Sequence, residues 1–521
     1  MANQKTNVTL VLVGLMLGML ISTLDQTIMA TAMPTVAREL GGLSLYSWVF
    51  SIYMLTSTTS MPIFGKLADL YGRKRVYVSG MVLFLLGSVL CSLSTNMTEL
   101  VIFRGLQGLG AGALIPLAVT IIGDLVPLEK RGKMQGMFAA LTTLANIIGP
   151  AAGGLFVEYL NWQWVFYINL PIGLAALIII LAALNESKLT VKRSIDWFGA
   201  LSMSGAIVAI LLALVLGGDS KYQWSSPQVI GLFAAGAVLL GLFLWIESKA
   251  KEPIVPLQLF KNRILSVAFI VAFLMSAGMF AAVTYIPLYV QGVIGVSPAV
   301  AGYILTPMMV ALGISVTIGG RLMHKYAYRT FNMLGMAFMG IGFGLLATMG
   351  VDTAMINVII YMIFVGVGIG LIIPTLNTSA IGAIGKERRG IATSLVQFFR
   401  SIGGTMGVSI LGILMTSRMA SGISDQSERF AALPADQLKT LTDPQIMLDE
   451  SIRATLPTGL LHELQHLFSQ GTGLVFVIGS AIAAAGFIVA AWMGNAKMME
   501  SSVSSPPAPA AGGSQDSQAR G

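Results

Sequence analysis

The strongest chemical signal in this 521-residue sequence is Asp25, set among Ser22, Thr23, Gln26 and Thr27 inside an otherwise apolar stretch. A carboxylate in such surroundings needs a cation or a proton for company. It is therefore suited to trading one for the other. A structural aspartate, hydrogen-bonded to neighbouring helices, is the plainer reading. Arg104 lies at a similar depth in another apolar stretch and offers the cation; an arginine reaching its head towards an interface is its plainer reading. A different chemistry is spelled by His462, Glu463 and His466, the H-E-x-x-H order in which two imidazoles hold zinc and glutamate acts as general base. Catalytic zinc takes three protein ligands. The other histidine is His324, and spacing singles out none of Asp425, Glu428, Asp449 or Glu450. Leu460, Leu461, Leu464, Leu467 and Phe468 make the surrounding pattern amphipathic, so a short helix lying at a membrane interface explains it without metal. The expectation is no metal site, no cofactor and no enzyme.

The elements that must position these residues follow from composition. The chain is 55% hydrophobic and 10% charged, against about 25% charged in a soluble domain. Its mean hydropathy is +0.81, which excludes a soluble protein of this size and implies a polytopic membrane protein. Spanning helices take about 20 mostly apolar residues. Fourteen runs qualify: 8–33, 47–65, 76–94, 100–123, 135–159, 163–184, 197–217, 228–246, 264–290, 298–319, 331–349, 354–378, 391–416 and 471–493. Alternate loops hold the cations, as in Lys66, Arg73, Lys74 and Arg75, then Lys130, Arg131 and Lys133, and later Lys386, Arg388 and Arg389. By the positive-inside rule both termini are cytoplasmic. The net charge of +8 is then a topology signal and not a nucleic-acid footprint. Residues 417–470 form one long polar insert, expected outside. The first span reads as uncleaved, and the Pro/Ser/Gly/Ala-rich tail 496–521 reads as disordered. A lone cysteine, Cys91, permits no disulfide within the chain.

The sequence also repeats. "GAGALIPLAVTIIGDLVPLEKRG" from Gly110 and "GIGLIIPTLNTSAIGAIGKERRG" from Gly368 match at one offset, with Pro116, Arg131 and Gly149 falling on Pro374, Arg389 and Gly407. Two related halves with a substrate site between them are the plan of alternating-access transporters. The charges do not recur: Arg104 falls on Met362 and Asp124 on Gly382. Ion coupling is therefore expected in the first half.

Four motifs in order carry a resemblance. "LDQTIMATAMP" (Leu24–Pro34), "GKLADLYGRKR" (Gly65–Arg75), "LVIFRGLQGLGAG" (Leu100–Gly112) and "ANIIGPAAGG" (Ala145–Gly154) resemble motifs of the major facilitator superfamily, specifically its fourteen-helix drug:proton antiporters. "DWFGA" from Asp196 and "EPIVPLQLF" from Glu252 are further family-like stretches. The resemblance implies an all-α fold with fourteen transmembrane helices arranged 6 + 2 + 6. The corresponding domains are 1–190, an N-terminal bundle; 191–262, two inserted helices; 263–495, a C-terminal bundle; and 496–521, the tail. It implies a proton-coupling role for Asp25 and Arg104, an antiporter motif in Gly149, Pro150, Gly153 and Gly154, and a cytoplasmic gating latch in Gly65, Asp69, Gly72, Arg73 and Asp124. Gln26, Tyr53, Gln107, Asn146, Tyr285 and Asn377 are candidates for a cavity lining. The function implied is export of hydrophobic, cationic compounds across the cell membrane in exchange for protons, with protons, such compounds and the bilayer as partners and no nucleic acid. The alternatives are a same-fold exporter of one lipid, siderophore or antibiotic, a sensor that binds without transport, and a membrane zinc peptidase. Arg400, inside the run 391–416, receives no assigned role; Glu158, near the end of 135–159, is the other candidate for a second acidic site, with a lipid-facing or interfacial place as its plainer reading.

Overall fold

The computed structural model describes residues 7–40, 45–185, 196–217, 224–250, 253–296, 300, 304–385, 388–425 and 458–496. Among them the structure is helical, without strands. In chain order the helices are α1 (Val8–Leu40), α2 (Tyr46–Tyr71), α3 (Arg73–Ser92), α4 (Met97–Leu125), α5 (Leu128–Tyr159), the short α6 (Trp164–Tyr167) and α7 (Asn169–Ala183). The inserted pair is α8 (Trp197–Gly217) and α9 (Pro227–Lys249). The remainder are α10 (Arg263–Tyr289), α11 (Thr306–Leu322), α12 (Tyr328–Leu346), α13 (Met355–Gly382), α14 (Arg389–Asp425) and α15 (Thr458–Ala491). Nine helical stretches among the described residues are long and apolar enough to cross a membrane. Closed backbone hydrogen bonding makes the helix the natural form for such runs in lipid.

Local chemistry sets several boundaries. Gly72 turns the chain between α2 and α3 at φ +96°, a conformation that a side chain resists. Asn96 caps α4 by accepting from the Glu99 N–H at 2.9 Å, and Asn262 caps α10 the same way. Pro116 and Pro374, the matched prolines of the repeat, both sit inside helices, in α4 and α13, where each removes one backbone hydrogen bond.

The chain packs as two sets of helices. α1 to α7 pack among themselves and so do α10 to α15, while α8 and α9 pack against each other. The sets meet where α14 lies against α2 and α4, and where α11 lies against α5. Small residues permit the closest approaches, as membrane helix interfaces require. A side chain on Gly65 of α2 would start 2.6 Å from Ser394 Cβ and 2.9 Å from the Gly390 carbonyl of α14.

The run 163–184 is the candidate span Trp164–Ala183, with one turn residue, Ile168, between α6 and α7. Two expectations change. The insert expected at 417–470 is shorter at both ends, since 417–425 continue α14 and 458–470 begin α15; residues 426–457 and the tail from 497 lie outside the described residues. The H-E-x-x-H segment is therefore the first part of α15 and not a separate interfacial helix. Leu464, Leu467 and Phe468 are buried in the main core, and that burial holds the segment in the bundle. His462 and His466 are exposed beside Asp352 and Arg418. No group of three His, Cys, Asp or Glu able to hold a metal occurs among the described residues.

Candidate functional site

Five helices of the first set converge on Asp25. The residue is 0% exposed, as are Arg104 and Gln107. Arg104 Nη1 donates to Asp25 Oδ2 at 2.5 Å and to Gln107 Oε1 at 2.8 Å. The other oxygen, Oδ1, accepts from Gln107 Nε2 at 2.8 Å and from Asn169 Nδ2 at 3.0 Å. Asn169 also donates to Ser88 Oγ at 3.0 Å, and Ser88 donates to the Phe166 carbonyl at 3.0 Å. The Arg104 guanidinium stands 4.3 Å from the centre of the Tyr53 ring, a spacing at which the ring face attracts a cation.

The arrangement has a direct chemical consequence. A buried ion pair holds best when its remaining valences are satisfied. Here α1, α3, α4 and α7 share that task, though Arg104 Nε has no hydrogen-bond partner among the described residues. Loss of the charge on Asp25 would leave Arg104 without its partner and loosen the link between these helices.

Sequence reasoning placed Asp25 and Arg104 at similar depth, and the structure joins them. It missed Asn169 and Ser88. The available signal was an asparagine inside the apolar run 163–184 and a serine inside 76–94. Tyr53 and Gln107, expected to line a cavity, are sealed within this network at 1% and 0% exposure. Gln26 is exposed. Tyr285 donates to the Val408 carbonyl at 2.7 Å, and Asn377 is buried in α13. The side chains of Asn146 and Pro150 lie outside the described ones. Glu158 is exposed, and Arg400 donates to Gln397 at 3.0 Å.

The glycines of "GPAAGG" are not equivalent. Gly149 is pressed on Thr27 of α1, where a side chain would start 2.6 Å from Thr27 Cβ. Gly153 is buried, whereas Gly154 is exposed with nothing within 4 Å of such a side chain. Gly149→Ala is expected to push α5 off α1 and cut transport at least tenfold. Gly154→Ala should leave it intact and gain about 0.5–1 kcal/mol of helix stability. Initial transport rates and thermal melting of the two variants check this, and equal effects would refute it.

A second polar cluster lies where α2 and α4 meet α14. Asp69 accepts from the backbone N–H groups of Gly390 at 3.0 Å and Ile391 at 2.9 Å, so it caps the start of α14. Arg73 pairs with Asp124 and stands 3.9 Å from Asp69. Arg389 donates to Asp124 at 3.2 Å from the other set of helices. Arg389 is the member that sequence reasoning left out, although the repeat matched it to Arg131. Thr120 and Thr393 hydrogen-bond nearby, and about three turns further along α2 and α14 Thr58 and Ser401 do so at 2.5 Å. The two sets are thus bonded together at this end.

Comparisons with known proteins agree with the fold. A family model described as Major Facilitator Superfamily matches residues 15–408. The chain is 43% identical to Multidrug transporter protein MdtP of Bacillus subtilis over 91% of this chain and 92% of that protein. It is 38% identical to Multidrug resistance protein 3 of the same organism, over 95% and 97%. The crystal structure of the human organic anion transporter MFSD10 superposes with a TM-score of 0.59 at 13% identity, covering 92% of this chain and all of that one.

Proposed function

Because this chain belongs to the major facilitator superfamily, we propose that it is a proton-coupled antiporter exporting hydrophobic compounds, cations among them, across the cell membrane. The observation that carries the reading is the sealed Asp25–Arg104 pair with both carboxylate oxygens occupied. The printed names of the two Bacillus subtilis relatives support the substrate class.

In this reading residues 1–190 and 263–495 are the two moving bundles, with fourteen spans and both termini in the cytoplasm. The cluster of Asp69, Arg73, Asp124 and Arg389 then closes the cytoplasmic end, and the structure is a cytoplasm-closed state. A proton from outside reaches Asp25, the pair with Arg104 breaks, and the helices shift so that bound compound leaves outward. After the bundles rock, Asp25 gives its proton to the cytoplasm and Arg104 returns. Proton and compound favour opposite arrangements of one network, which is the condition for exchange.

The test uses purified protein in proteoliposomes. A pH gradient, acidic on the extracytoplasmic side, should drive a cationic dye the other way, and a protonophore should stop it. Dye flux indifferent to the gradient would refute proton coupling. A panel of unrelated hydrophobic compounds from which only one is moved would refute the broad range.

A further inference from the structure

The inserted hairpin touches the gating machinery through buried charge. Asp196 precedes α8, and its Oδ1 accepts from the Gly199 N–H at 2.8 Å. Glu247, near the end of α9, is 3% exposed, and its Oε1 accepts from the Val255 N–H. The second oxygen of each, Asp196 Oδ2 and Glu247 Oε2, is buried without a hydrogen-bond partner among the described residues. Both flank Gly199, at 2.5 and 2.9 Å from the point where a side chain on it would start.

Among the described residues one cation serves this pair. Lys66 of α2 is 9% exposed and lies within electrostatic reach of Glu247 and also of Asp69. The described groups facing Glu247 are Asp196 from the start of α8, Lys66 from α2, and the backbone N–H groups of Ile254 and Val255. Asp69, on the other side of Lys66, holds the start of α14. A buried carboxylate beside a second, partly buried one stays charged only with a cation close by, and otherwise takes a proton.

We propose that Glu247, with the Asp196 carboxylate beside it, is a second proton-binding site, the proton held on Oε2, for which Lys66 competes. The inference rests on the gating reading of the Asp69 cluster. When the bundles rock, α2 draws Lys66 away; a hydronium ion in cytoplasmic water then gives its proton to a carboxylate oxygen and leaves as water. On closure the ammonium returns and the proton goes back to water. The inserted helices are then a proton-linked brake on the gate and more than a spacer.

The test is infrared spectroscopy of purified protein in lipid, titrated from acid to alkaline buffer in an Asp25→Asn background that removes the first site. A protonated-carboxyl C=O band should appear, vanish in Glu247→Gln, retreat to lower pH in Asp196→Asn, and persist to higher pH in Lys66→Gln. Lys66→Gln leaves both acids in place, so its result stands even where the acid variants fail to fold. A band that Glu247→Gln leaves unchanged, or whose pH range Lys66→Gln does not move, overturns the proposal. Dye flux of the wild type in the same lipid separates the readings. Its absence counts against transport, whereas flux without the carboxyl band counts against the second site alone.

Discussion

Asp25→Asn is expected to reduce gradient-driven dye transport to background while dye binding survives. Asparagine has nearly the shape of aspartate but cannot take up or release a proton. It also unbalances the network, because its amide would point a donor at groups that now donate. Gln107 and Asn169 both give hydrogen bonds to Asp25 Oδ1, and Arg104 occupies Oδ2. The substitution leaves Arg104 buried without its counter-charge, and breaking such a pair costs about 3–5 kcal/mol. A loss of flux alone could therefore reflect damaged folding. The double variant Asp25→Asn with Arg104→Gln removes both charges, and replacing a whole buried pair is often close to neutral. It should recover most of the thermal stability lost in the single variant and none of the coupled flux. Recovery of gradient-driven flux in the double variant, or full coupled flux in the single one, would remove Asp25 as the proton carrier.

How far this site is legible in the sequence depends on which geometry each residue needs. Depth in the membrane is a count along the chain, so the apolar runs by themselves place Asp25 and Arg104 within reach of each other. Rotation about the helix axis is not such a count. α3, α4 and α7 are apolar on nearly every face, so nothing in their patterns shows that Ser88, Gln107 and Asn169 turn towards one point. The same blindness puts Tyr53 and Gln107 along a cavity when they fill a sealed seam. Contacts between the two sets are harder still. Asp69, Arg73 and Asp124 are legible through the resemblance of their motif. Arg389 stands 265 residues from Asp124 in the chain, and the N–H groups of Gly390 and Ile391 stand 321 and 322 from Asp69. Only the fold brings them in. Glu247 reads as the polar end of a span, and its burial against Asp196 depends on how α8 folds back on α9.

Asp124→Asn is expected to open the end that the cationic loops flank, and it does so without touching Asp25. Asp124 is held by Arg73 from its own set and by Arg389 from the other, so the change weakens a bond that spans the seam. These side chains are partly exposed, at 17–19%, and solvent limits the loss to about 1 kcal/mol. Asp69→Ala removes one charged cap that accepts two backbone hydrogen bonds from α14 and costs about 1–2 kcal/mol more. Together they favour the open arrangement by about 2–3 kcal/mol, or roughly 30- to 150-fold in population. Thr393, 2% exposed and bonded to Thr120, is a reporter for that opening. Thr393→Cys in a Cys91→Ala background should react slowly with a membrane-impermeant maleimide applied from this side. Adding Asp124→Asn should speed the reaction several-fold, and adding both changes should speed it more than tenfold. Gly390→Ala offers an independent route, since its side chain would start 2.5 Å from Asp69 Oδ1 and 2.8 Å from the Gly65 carbonyl. It wedges the seam apart without removing a charge. If the wedge accelerates labelling and the charge variants do not, the seam is held by close contact and the ion pairs are incidental. Acceleration by both means that bonds and fit close the same gate.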